Sequence, residues 1–316
     1  MRLGVAIDLG SAAATRPQVD RATRLLETAE ANGLSSAWLG ESYHVRPEVF
    51  HLPAALIVLA HLAGRTNLPL GTAVLLARAY EPRRLAYEAA LLDQLCTGRL
   101  TLGLALGNAD LAERVGGGTD GRSPGEWFAA MVTVLRETWS ASAAGGPGAQ
   151  PVAPPPARQG GPPMFLGGRT RAAALRAATI GDGYYAATNY DDDLLTARAA
   201  EYWDARGNAS GDVAVTRLCL VAPDADDARR MAAGYFAAVV NYYTGRRAWM
   251  GLDGAVTPRF PLVGSPADVA AALRGYASSG VTSVQLRVAP HGTPPEVARR
   301  TLELVGEAVL PELDES

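Results

Sequence analysis

The stretch AWLGESYHVRPEVFH, residues 37–51, concentrates acid–base chemistry in a few positions. Glu41, Ser42 and His44 follow an apolar, strand-like run. A carboxylate near an imidazole can move a proton, or each can fix the other's orientation. Ser42 adds a hydroxyl that donates or accepts. The same groups also fit an ordinary polar loop. His44 and His51 lack the cysteines or further ligands that a metal centre needs. Other polar groups sit at further strand ends: Asp8, Asn108 with Asp110, and His291. Loop capping accounts for Asn108 and Asp110 equally well.

FLGGRTRAA, residues 165–173, offers an anion site. Gly167 and Gly168 permit close backbone approach as a strand turns into a helix. The first amides of that helix then face outward beside Arg169 and Thr170, an arrangement suited to phosphate and equally to a plain turn. Arg83 and Arg84, after Pro82, fit ordinary surface ion pairs or a ligand's acidic tail. His61 lies inside an apolar helix and reads as a packing residue. All 29 basic residues are arginine, which excludes Schiff-base chemistry and a lysine base. Cys96 and Cys219 are isolated and read as buried small hydrophobes, not as a disulfide or thiolate site.

These groups need a frame. RLTLGLALGN, residues 99–108, alternates Leu100, Leu102, Leu104 and Leu106 with Thr101, Gly103, Ala105 and Gly107. Strand side chains alternate between faces, so one face is heavy and the other nearly bare. Eight apolar segments of this kind occur, at 3–9, 35–40, 68–76, 99–107, 163–168, 183–188, 213–222 and 281–289. Helical patterns separate them, including 16–33, 51–64, 81–98, 123–139, 169–181, 191–207, 225–243, 265–280 and 294–312. Strand alternating with helix predicts parallel pairing, and eight such units predict one (β/α)₈ TIM barrel over residues 1–316, with insertions at 108–123, 140–163 and 245–264. The first turn, DLGSAAATRP, lacks the glycine spacing of a dinucleotide fold. The 140–163 segment reads as a surface excursion. The 245–264 segment, with Trp249, Met250 and Phe260, is expected to shape or close a pocket. If the leucines face the helices, the bare face points to the barrel axis. Either large neighbours fill that space or a flat ligand does.

Composition narrows the partners. A net charge of −3 on 316 residues excludes neither fold nor catalysis, but it argues against nucleic acid and anionic membranes. No stretch has the length and apolarity of a membrane span. The opening MRLGVAIDLG enters a strand pattern without a signal cleavage region, so a cytoplasmic protein is expected.

GLSSAWLGES (33–42), LPLGTAVLLARAYEPRRLAYEAALLDQLCTGRLTLGLALG (68–107) and PPMFLGGRTRAAALRAATIGDGYY (162–185) closely resemble the bacterial-luciferase-like family of flavin-dependent oxidoreductases. The likeness returns in SPADVAAALRGYASSGVTSVQLRV (265–288). It implies a barrel, usually a homodimer, holding a reduced flavin, FMN or F420, at the strands' carboxyl ends. It further implies monooxygenation of a small or medium organic molecule, with F420-dependent hydride transfer or a non-catalytic flavin-binding barrel as alternatives. A separate flavin or F420 reductase is an implied partner. Ala73-Val74 matches the family's cis peptide beneath the flavin ring. Gly167, Gly168, Arg169 and Thr170 match its phosphate region, and Asp8 and Gly107 are assigned to the cofactor. Glu41, Ser42, His44 and Asn108 are the expected catalytic residues. Two positions depart: Ser42 stands where many members carry histidine, and Leu106 where luciferase has a phosphate-binding arginine.

Overall fold

The structure is a computed structural model and describes residues 1–10, 14–43, 53–107, 111–115, 120–144 and 152–314. Eight strands form the barrel: β1 (Arg2–Ile7), β2 (Ala37–Leu39), β3 (Leu70–Thr72), β4 (Leu100–Ala105), β5 (Met164–Gly167), β6 (Gly183–Ala186), β7 (Asp212–Val221) and β8 (Ser283–Arg287). Each pairs in parallel with the next, and β8 closes on β1 through Arg2↔Ser283 to Val5↔Leu286. The helices that follow them are α1 (Thr15–Ala31), α2 (Ala55–Ala63), α3 (Pro82–Leu95), α4 (Pro124–Ala144), α5 (Arg171–Ile180), α6 (Asp192–Arg206), α7 (Pro266–Ser278) and α8 (Pro295–Leu304). The expected TIM barrel is therefore the observed fold.

Local chemistry sets the helix starts. Glu81 caps α3 by accepting from the Arg84 N–H, with Pro82 inside the first turn, where its missing donor costs nothing. Ser265 and Asp268 form a reciprocal capping box at α7. Leu100, Leu102 and Leu104 of β4 are fully buried in the main core.

The barrel interior explains the bare strand face. Three rings occupy its middle: Trp38 lies 5.8 Å from Phe165 and 5.3 Å from Tyr185, centroid to centroid. Each ring is in register with a small residue on a neighbouring strand. Trp38 pairs with Gly71, Phe165 with both Gly103 and Gly183, and Tyr185 with Gly167 and Ala214. A Cβ on Gly71 would come 2.3 Å from Trp38, and one on Gly183 2.7 Å from Phe165. Large beside small is the packing that fills a tapered barrel without voids. The glycines thus make room for rings low in the barrel, and a cavity opens above them.

The 245–264 insertion is structured. β7 runs past the barrel, and its outer end pairs with Leu262–Gly264. Between them stand helices Ala225–Tyr235 and Ala237–Gly245 and a short hairpin, Met250–Gly251 with Gly254–Ala255. The single helix expected at 225–243 is broken at Phe236, whose side chain instead plugs a satellite core with Leu218, Val239 and Trp249. No helix among the described residues is long and apolar enough to cross a membrane.

Candidate active site

At the carboxyl ends of the strands lies a cavity of about 160 Å³. Its floor and walls include Ala73 and Val74 after β3, Ala105 of β4, and Gly167 and Gly168 at the end of β5. The Ala73–Val74 peptide is cis. The segment carrying it descends toward β4, where a Cβ on Gly103 would meet the Thr72 carbonyl oxygen at 2.0 Å. Thr72 Oγ1 also donates to the Gly103 carbonyl at 2.8 Å. Gly103 therefore lets the backbone of the third strand approach the fourth.

Asp8 sits just beyond β1 and lines the cavity with Arg287 of β8. Arg287 donates from Nε and Nη2 to the two Asp8 oxygens, at 2.7 and 2.8 Å. Both side chains are 2–3% exposed. Burial opposes the Arg287 charge, but Asp8 and then Tyr243 outweigh it and hold the guanidinium above its usual value. The bidentate fork is the geometry in which arginine best matches a carboxylate. On the same wall the Tyr185 and Thr216 hydroxyls are hydrogen-bonded at 2.8 Å.

Glu41 does not line the cavity. Its Oε1 accepts from the Leu76 N–H at 2.7 Å, and its Oε2 from the Tyr80 hydroxyl at 2.7 Å and the Ala55 N–H at 3.3 Å. Burial pushes its carboxyl up, against the opposing effect of these donors and of Tyr43. The carboxylate thus ties the segment after the cis peptide to the start of α2. Ser42 is buried, and its Oγ has no partner among the described residues. A buried hydroxyl without a partner calls for an explanation such as a water or ligand.

Gly107 has φ +80°, and a Cβ there would come 2.7 Å from Leu111 and 3.4 Å from Leu76. It serves the backbone turn and that packing, and it does not line the cavity. Gly168 also has a positive φ, and its missing Cβ would lie 2.7 Å from Ala173. Thr170 caps α5, accepting from the Ala173 N–H at 3.2 Å. Arg169 is exposed, with its guanidinium 3.8 Å from the Met250 sulfur of the insertion hairpin. His291 is exposed and lines a separate groove between α1 and α8. Arg84 pairs with Glu88 at 2.8 Å, an ordinary surface contact. His44, His51, Asn108 and Asp110 lie outside the described residues.

Sequence reasoning missed Arg287, Tyr243, Tyr185 and Thr216. Arg287 carried a signal: Ser283, Gln285 and Arg287 form a polar parity in an otherwise apolar strand. Tyr243 carried none, because an insertion helix delivers it.

A closed parallel barrel with its cavity at the strands' carboxyl ends is the architecture of a barrel enzyme. The chain belongs to the luciferase-like monooxygenase family, whose model matches residues 1–283; the family comprises flavin-dependent oxidoreductases associated with FMN or F420. It is 30% identical over 122 residues to the oxygenase component of a flavin-dependent trigonelline monooxygenase of Acinetobacter baylyi, a stretch covering 38% of this chain and 33% of that protein. The matched stretch therefore spans about a third of that relative's length. Among solved structures, monooxygenase RslO1 from Streptomyces bottropensis superposes with a TM-score of 0.80 at 22% identity, covering 98% of this chain and 99% of that one. The oxygenating constituent of 3,6-diketocamphane monooxygenase from Pseudomonas putida, in complex with FMN, also gives 0.80, at 16% identity over 99% and 98%. At such identities the likeness is one of fold.

Proposed function

We propose that this chain is a monooxygenase that uses a reduced flavin and molecular oxygen on a small or medium organic substrate. The observation that carries the reading is the cavity bounded by the cis Ala73–Val74 segment and the Gly167–Gly168 pair. Its small side chains suit a planar ring. Ala73, Val74 and Ala105 would carry the face of that ring, with Asp8 and Arg287 beside it. Gly168, with its positive φ and no Cβ to meet Ala173, lets the chain turn from the cavity wall into α5. Arg169 and the first turn of α5 would hold the phosphate, where helix amides and a guanidinium favour an anion. The unpartnered Ser42 hydroxyl fits a polar edge. Bound there, a reduced flavin supplies two electrons, so that one oxygen atom enters the substrate and the other leaves as water.

The protein's own contributions are orientation and exclusion of water. In this reading Glu41 positions the 73–76 segment and does not exchange protons with substrate. Ser42, His44 and Asn108 are the proposed polar contacts. Hydride transfer with F420 is the second reading, favoured by Leu106, which packs against the core where luciferase has its phosphate arginine. Anaerobic titration with reduced FMN and with reduced F420, separately, tests both. Saturable binding of one is expected, and binding of neither would refute the assignment.

A separate reductase would supply the reduced cofactor. A second copy of the chain would cover the apolar face of α2 and α3. The thiols of Cys96 and Cys219 are free and buried, with burial pushing them up to about 11 and about 12, which suits the reducing cytoplasm.

A further inference from the structure

A groove of about 650 Å³ lies between α1 and α8, beside the ends of β1 and β8. It is distinct from the cavity at the strand ends, although Ile7 and Asp8 border both. Its volume is that of a pocket for a small organic molecule. On α1 its wall includes Arg21, Arg24, Leu25 and Thr28, whose spacing sets them on one side of the helix. Pro290, Pro294 and Ala298 complete an apolar lining from the loop after β8 and from α8. The charges on this wall are unevenly matched. Arg299 is held by Glu303, and Asp8 by Arg287. Arg21 and Arg24 are exposed and have no ion-pair partner among the described residues, and Glu296 is the wall's remaining acid. Thr293, in the loop before α8, also lines the groove. Its hydroxyl oxygen is buried without a hydrogen-bond partner among the described residues. Such a group calls for a water or a ligand.

We propose that this groove is a binding site for an amphiphilic organic carboxylate. The apolar body of the ligand would lie on Leu25, Pro290 and Pro294, with its acid end at Arg21 and Arg24. Covering the apolar lining removes it from water, and guanidinium forks match a carboxylate in shape and charge. A bare inorganic anion would leave that lining uncovered. A neutral hydrocarbon would leave the two arginines unmatched, so the groove selects a molecule with both features. The site lies outside the flavin cavity and stands or falls independently of the flavin reading.

The test titrates pyrenebutyrate into the purified protein without flavin and follows its fluorescence anisotropy. Pyrenebutanol, with an alcohol in place of the acid, is the neutral control. Wild type is expected to bind pyrenebutyrate saturably, and the alcohol about tenfold more weakly, the scale of a lost hydrogen bond to a charged acceptor. Combining Arg21→Gln with Arg24→Gln should weaken the acid by about the same factor and leave the alcohol unchanged. Both side chains are exposed, so circular dichroism should stay as in wild type. Thr28→Trp fills the groove from α1 and should weaken both ligands. Arg16→Gln removes a charge from the same helix away from the groove, where Arg16 pairs with Asp20, and should bind as wild type does. Three results overturn the proposal: no binding by wild type, equal binding of acid and alcohol, or undiminished acid binding in the double variant or in Thr28→Trp. A loss in Arg16→Gln as large as that in the double variant also overturns it, because general charge attraction then accounts for the binding.

Discussion

Glu41 shows how a single buried carboxylate ties separate parts of the chain together. Three donors converge on it from three places in the chain: Ala55, Leu76 and Tyr80. Burial lifts its folded-state pKa above the unfolded value. Between those two values the folded chain keeps a proton that the unfolded chain has released. Stability attributable to Glu41 is therefore greatest below the unfolded pKa and falls as pH rises through the folded one. Melting temperatures measured from acid to neutral pH should show this falling component in wild type. Glu41→Gln, which cannot titrate, should lack it. The same variant turns an amide donor toward one of the three donors and should lose about 1–3 kcal/mol at neutral pH. An identical pH profile in both proteins would show that the carboxyl does not titrate differently on folding. Residue types near the site were legible in GES and in Asp8. Partners were not, because Asp8 and Arg287 lie at opposite ends of the chain and meet only when β8 closes on β1.

At the scale of the strand, β4 separates what a repeating pattern encodes from what it omits. Period two correctly gave a leucine face and a bare face. It carried no information on register with neighbouring strands, and register decides that Gly103 lies beside Phe165 and beneath Thr72. The three small residues consequently have three jobs. Gly103 admits backbone, Ala105 lines the cavity, and Gly107 makes a positive-φ turn against Leu111. Their substitutions should separate accordingly. Ala105→Leu should weaken reduced-flavin binding at least tenfold while circular dichroism stays unchanged. Gly107→Val should lower stability by about 1–3 kcal/mol, through φ and the Leu111 clash, in a urea titration. Flavin affinity preserved in Ala105→Leu would remove the steric role of the cavity floor.

At the scale of the molecule, the outer face of α2 and α3 stands apart. Ile57 is 73% exposed, and Tyr87, Leu91 and Leu95 are 44, 50 and 51% exposed. The last three recur every four residues, so they form a stripe along one side of α3. An exposed apolar stripe of this kind suits a contact surface. A second copy is the occupant proposed here, because a two-fold axis sets the same stripe against itself. The face is also connected to the site, since the first N–H of α2, at Ala55, is bound to Glu41. Clamping α2 in a dimer would restrain the carboxylate that holds the 73–76 segment. Sedimentation equilibrium at micromolar concentration should give a dimer for wild type. Leu91→Glu, which buries a charge in that contact but leaves the core intact, should give a folded monomer. Loss of the dimer should also weaken reduced-flavin binding, by a few-fold rather than completely, because the cavity lies within one chain. A monomeric wild type would remove the interface, and a monomeric Leu91→Glu with undiminished flavin affinity would sever the link from that face to Glu41.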